Sequence, residues 1–100
     1  MFRHIVFWRF AVEAEGCTKQ QNMDIVKEGL LSLYGKVPTL RGAQVGQDIL
    51  HTPASSDMCL ICDFDDLDGF TVYRDHPEHV KVLDYIKKVV TERKVIDFEF

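Results

Sequence analysis

No apolar run in this chain approaches the roughly 20 residues that a helix needs to cross a bilayer. The opening Met1 to Phe10 is broken by Arg3, His4 and Arg9, so it does not read as a secretory signal. A basic face is missing too: 12 Lys and Arg stand against 16 Asp and Glu, a net charge of −4. The cations are scattered, with only Lys87-Lys88 and Arg93-Lys94 adjacent. Nucleic acid asks for a clustered basic surface. Neither nucleic acid nor membrane is an expected partner, and the cytoplasm is the expected compartment.

Cysteine is scarce, and its count of 3 is odd, which speaks against a disulfide framework. Cys59-Leu60-Ile61-Cys62 has C-x-x-C spacing, but it lies inside Met58–Phe64, which reads as a strand. Residues three apart on a strand face opposite ways, so the pair is expected to be structural. There is no Gly-rich phosphate loop, no nucleophile elbow, no persuasive carboxylate pair, no internal repeat and no linker. Asp65-Asp66-Leu67-Asp68 reads as the capped start of a helix.

What the chain has is apolar surface. Its 100 residues make one domain, spanning 1–100, and 46% of them are hydrophobic. A domain this small hides only roughly two-thirds of its unfolded surface. That surplus suggests apolar surface kept for a partner. From Phe2 to Ala11 both the even and the odd positions are mostly apolar, which marks a strand covered on two sides.

Thr18 with Gln21 has the form of a capping box. Met23, Val26, Leu30, Leu33 or Tyr34, and Val37 follow at helical spacing, and Gly35 and Pro38 are expected to end that helix. Ala43, Val45 and Ile49 alternate as a second strand, and Met58–Phe64 is a third. A short helix carries Leu67, Phe70 and Tyr73. His76-Pro77 interrupts, and Pro77 suits the first position of a new helix bearing Val80, Leu83, Ile86 and Val89 or Val90. Lys94 to Phe100 alternates as the last strand.

Strand, helix, strand, strand, broken helix, strand is the ferredoxin-like order of an α+β fold. Its helices cover one sheet face, so the other apolar face of the first strand needs a second copy of the chain. A homodimer through that face is expected, with the shared interior as the working site.

Tyr73-Arg74-Asp75-His76-Pro77-Glu78-His79 is the most distinctive stretch. A histidine near a helix N-terminus is favoured neutral and can accept a proton at pH 7, although Glu78 pulls the other way. Tyr73 could donate a hydrogen bond to an oxygen gaining negative charge. Tyr73 and His79 are therefore the candidate catalytic pair. The plainer alternative is that His76 and His79 brace the junction while Tyr73 packs. His76 and His79 could share a metal ion, but no third ligand has convincing spacing; His4 would have to approach from the sheet. Trp8 reads more as core than as cofactor contact, and His51 as solvated.

Arg3-His4-Ile5-Val6-Phe7-Trp8-Arg9-Phe10, Gly35-Lys36-Val37-Pro38, Val45-Gly46, Tyr73-x-x-His76-Pro77-x-His79 and Arg93 to Glu99, in this order, resemble the stress-responsive dimeric A/B barrel family, Dabb. The resemblance covers essentially the whole chain, and Glu13-Ala14-Glu15-Gly16 is similar to the bacterial branch. It implies a ferredoxin-like protomer pairing through its sheet into a dimeric α/β barrel. More distantly the chain is similar to plant olivetolic acid cyclase, which closes a linear polyketide by aldol chemistry without a cofactor. That similarity implies His79 as base, Tyr73 as holder of the enolate oxygen, and His4 as a pocket residue; Trp8 and His76 are the further pocket-lining candidates. Another pocket histidine of the cyclase falls at Met58, a departure from its substrate site. No cofactor is expected. A structural Mg2+ on the backbone carbonyls of Tyr34, Val37 and Leu40 is implied by the plant members alone. The favoured expectation is binding of a small apolar molecule. The alternatives are a cofactor-independent cyclase, lyase or isomerase, and a non-enzymatic stress protein.

Overall fold

The chain runs β1 (Phe2–Phe10), β2 (Glu13–Ala14), β3 (Cys17–Thr18), α1 (Lys19–Leu31), β4 (Gly42–Gln47), β5 (Met58–Phe64), α2 (Leu67–Asp75), α3 (Pro77–Val89) and β6 (Val90–Glu99). The computed structural model describes residues 1–100. Four strands form an antiparallel sheet of order β4-β5-β1-β6. This is the ferredoxin-like arrangement, with α2 and α3 as the broken second helix. No helix is long and apolar enough to cross a membrane.

Strand periodicity decides which side is core. Phe2, His4, Val6, Trp8 and Phe10 of β1 are buried, as are Met58, Leu60, Cys62 and Phe64 of β5. Met23, Val26 and Leu30 of α1, Tyr73 of α2, and Ile86 and Val89 of α3 join them in one cluster. The helices therefore lie on this face. The alternate residues Ile5, Phe7, Cys59 and Ile61 stay half-buried or exposed on the other face. Cys59 and Cys62 do face opposite ways, and all three cysteines are free.

Thr18 and Gln21 close the capping box in both directions, at 3.2 and 2.9 Å. The residues that break the first strand's pattern form a small hairpin. Glu15 and Gly16 both take positive φ, 52° and 73°, as a two-residue hairpin turn of type I′ requires. Asn22 ties this hairpin to the helices. It is fully buried, donates to the Ala14 carbonyl at 3.0 Å, and accepts from the Tyr85 hydroxyl at 2.6 Å. Asn22→Leu leaves both partners unsatisfied and is expected to cost about 2 kcal/mol. Urea denaturation checks it; an unchanged midpoint would contradict this role.

Three boundaries differ from expectation. α1 stops at Leu31, short of Gly35, because the amides of Leu33 and Tyr34 bond three residues back and tighten the chain into a turn. Leu33 and Val37 remain buried in that turn, so the apolar stripe outlasts the helix. β4 ends at Gln47, and Ile49 is 83% exposed, because the Asp48 carboxylate holds a turn at the His51 amide. β6 begins at Val90, directly after α3.

Candidate functional site

The junction of α2 and α3 is set by local chemistry. Asp66 caps α2 by accepting from the Gly69 amide at 2.8 Å. A residue before proline is disfavoured in the helical region, and His76 is extended, with ψ 133°. Pro77 then starts α3 where a missing N–H costs nothing. The His76 Nδ1 accepts from the Glu78 amide at 3.1 Å, so His76 caps the new helix.

This turn brings the Tyr73 and His79 rings together, 4.4 Å between centroids and tilted by 41°. His79 Nδ1–H donates to the Arg74 carbonyl at 2.9 Å. A carbonyl can only accept, so the proton sits on Nδ1 and Nε2 carries the free lone pair. Burial lowers the His79 pKa against the pull of the Arg74 carbonyl, and His4 and Arg93 lower it further. Tyr73 is 1% exposed, and burial raises its phenol well above the usual range, so it remains a donor. Cys62 lies 3.8 Å from the Tyr73 hydroxyl and donates its S–H to it. Burial pushes that thiol up to about 12, which keeps it protonated and inert.

His4 reaches the same space from β1. Its Nδ1–H donates to Asp97 at 2.5 Å, across the register that pairs His4 with Asp97 on β6. Its ring lies 4.8 Å from Phe70. Burial lowers the His4 pKa, opposed by Asp97. Anchoring Nδ1 on a carboxylate leaves His4 Nε2, too, as an acceptor.

His4, Tyr73 and His79 converge on a cavity of about 310 Å³, walled by Phe70, Leu83 and Ile86. The cavity lies between the helices and the sheet of one protomer. His4 leaves β1 on the helix side, opposite Ile5 and Phe7, so these three side chains line a space within one protomer and not the shared interior expected as the working site. A hollow of about 370 Å³ between β4, β5 and residues 48–56 has no acid/base pair, and its Asp48 already holds the His51 amide.

Two expected pocket residues lie elsewhere. Trp8 is buried in the core, with its indole N–H unpartnered, and does not line the cavity. His76 is spent as a helix cap. Met58 is core as well. Tyr34, Val37 and Leu40 sit in the turn after α1, where Val37 and Leu40 point their side chains into the core. Asp97 and Arg93 were not singled out from sequence. Each sits in an alternating strand whose partner lies some ninety residues away, so only the register reveals them.

A neutral histidine and a protonated phenol side by side form an acid/base set: Nε2 can take a proton while the O–H steadies a developing oxyanion. Because the folded-state pKa of His79 and His4 is lowered, the unfolded chain binds more protons below about pH 6.5. Stability is therefore full above that pH and falls as pH drops through the lowered values. Melting temperature should decline from pH 7.5 to pH 5, with a smaller slope in His79→Gln. An identical slope would contradict the buried neutral imidazole.

The model of the Dabb family, the stress responsive A/B barrel domain, matches residues 2–100. The chain belongs to the Dabb family. No curated protein matches it in sequence. Among solved structures, this Dabb domain is similar to a dimeric ferredoxin-like protein of unknown function from Bacteroides fragilis NCTC 9343, with 26% identity, TM-score 0.82, and 99% of this chain and 95% of that one covered. It is also similar to a dimeric ferredoxin-like protein of unknown function from Thermobifida fusca, at 27% identity and TM-score 0.83, covering 99% and 90%. The hydroxynitrile lyase of Passiflora edulis shares the Dabb domain's fold, at 17% identity and TM-score 0.80, covering 97% and 90%.

Proposed function

We propose that this Dabb protein is a cytoplasmic homodimer that binds a small, largely apolar molecule in the helix-side cavity of each protomer. The observation that carries the reading is the convergence of three polar groups on an apolar-walled space, which is how ligand pockets are built. Pairing is supported by the sheet's outer face, where Phe7, Ile96 and Phe98 are 39%, 53% and 37% exposed, and by the dimeric neighbours. An apolar phenol such as 1-naphthol should raise the melting temperature of the wild type and leave Leu83→Trp, whose indole fills the cavity, unmoved. Equal responses of the two proteins would overturn the reading.

A second reading is favoured by one specific observation, the anchoring of His79 Nδ1 on the Arg74 carbonyl. It leaves a base aimed beside the Tyr73 phenol, as a cofactor-independent lyase, cyclase or isomerase would need. In that chemistry His79 Nε2 takes a proton from carbon or hydroxyl, and the Tyr73 O–H holds the oxygen that gains charge. The Passiflora neighbour is a lyase on the same fold.

A structural Mg2+ would draw on the carbonyls of Tyr34, Val37 and Leu40. Their hard oxygens suit it, although the set is neutral and Val37 already accepts from the Leu40 amide at 3.2 Å. Such an ion would brace the turn and take no part in the chemistry. Millimolar Mg2+ should then raise the melting temperature by no more than about 4 °C over EDTA, and no rise would remove the site.

A further inference from the structure

We propose that the ligand of this cavity is an organic anion, an apolar body bearing a carboxylate, and that Arg93 and Lys87 hold the carboxylate at its rim. This rests on the reading that the cavity binds a small molecule, and it names the class.

The chain is acidic overall, yet its cavity is lined by Arg74, Lys87, Arg93 and two histidines, with no Asp or Glu among the lining residues. Arg74 is taken by Asp75 at 3.2 Å. Arg3, Arg9 and Arg41 are likewise held by Asp63, Glu92 and Asp65. Arg93 alone among the arginines has no carboxylate partner, and Lys87 has none either.

The strand register explains why. Arg93 pairs with Trp8, whose side chain is buried on the helix side, so Arg93 leaves β6 on that side. Its neighbour Glu92 leaves on the other face, where it is shared by Arg9 at 3.1 Å and Lys94 at 3.2 Å. The nearest carboxylate in sequence is thus committed away from the cavity. The Arg93 charge is felt by both His4 and His79, whose protonated forms it disfavours. Lys87, in the last turn of α3, adds a second free cation to the same rim.

A guanidinium fork matches a carboxylate with two hydrogen bonds, and a lysine adds a point charge. A ligand held there would lay its apolar body along Phe70, Leu83 and Ile86. Its far end would then meet Tyr73 and His79. Arg93 is a specificity-determining residue in this arrangement, and its place on an exposed rim makes its replacement harmless to the fold.

The test pairs 2-naphthoate with 2-naphthamide, which have the same ring system and differ in charge. Both are titrated into wild type, Arg93→Met and the Arg93→Met/Lys87→Met double variant, with binding located by amide chemical shifts. Naphthoate should bind wild type about tenfold more tightly than naphthamide, the worth of one exposed charge-assisted contact. Arg93→Met should remove most of that preference and leave naphthamide affinity unchanged. Equal affinities in wild type, or a preference that survives the double variant, would overturn the anion while keeping the cavity. If neither probe shifts the amides of Phe70, Leu83 and Ile86, the cavity reading falls with it.

Discussion

His79→Ala is expected to lower the protein-catalysed exchange of the α-protons of acetophenone in D2O by about 10²- to 10⁴-fold, the usual worth of a positioned base. His79 combines a free lone pair, a fixed orientation and a pKa lowered by burial with a ring set against the Tyr73 phenol. Alanine removes the lone pair and also the ring stacked 4.4 Å from Tyr73. Tyr73→Phe separates these effects, because it keeps the ring and removes only the donor. It should cost about 10²- to 10³-fold, as loss of one oxyanion donor does. The thiol of Cys62 loses a weak 3.8 Å contact in that variant, which is a small structural cost. Proton NMR reads both rates, and circular dichroism checks the fold. Exchange that is unchanged in both folded variants would remove the acid/base reading and leave binding standing.

The second large effect concerns the outer sheet face. Ile5 lies at its centre, opposite Ile61 on one side and Ile96 on the other. Phe7 stands two residues along, and Arg3, paired with Asp63 at 2.7 Å, packs over the Phe100 ring at 4.6 Å. If two such faces meet, Ile5→Glu places an unpaired carboxylate in a seam it cannot leave. A charge buried without a partner costs several kcal/mol, about 3–5 in measured cases. The dimer dissociation constant should rise by about 10²- to 10⁴-fold, and sedimentation at micromolar concentration should give monomer. Val12→Glu, at a position 78% exposed beyond the end of β1, should leave the dimer intact. A dimeric Ile5→Glu protein would show that pairing uses another surface.

Much of the architecture was legible because it is local. The alternation of β1, the Thr18–Gln21 box and the His76-Pro77 break each follow from neighbours a few residues apart. So does the division of Cys59 and Cys62 between two faces. The apolar stripe of α1 misled for a physical reason: Leu33 and Val37 are buried by a turn that keeps helical spacing without helical hydrogen bonds. Tyr73 and His79 were legible as a pair because the proline between them forces their approach. His4 with Asp97, and Arg93 opposite Trp8, depend on the β1–β6 register, which joins the two ends of the chain. The side on which the cavity opens was hidden because both faces of β1 are apolar. Trp8 shares a face with His4, which made it a pocket candidate, yet it lies farther along the strand among core side chains, as its reading as core had it.

A ligand that enters between the helices and the sheet of one protomer should perturb that space and leave the outer sheet face unmoved. The most direct measurement is the set of backbone amide shifts on titration with 1-naphthol. Saturable shifts concentrated at Phe70, Tyr73, Leu83 and Ile86 are the predicted result. Shifts concentrated instead at Ile5, Phe7, Ile61 and Ile96 would contradict it and move the working site to the outer face of the sheet.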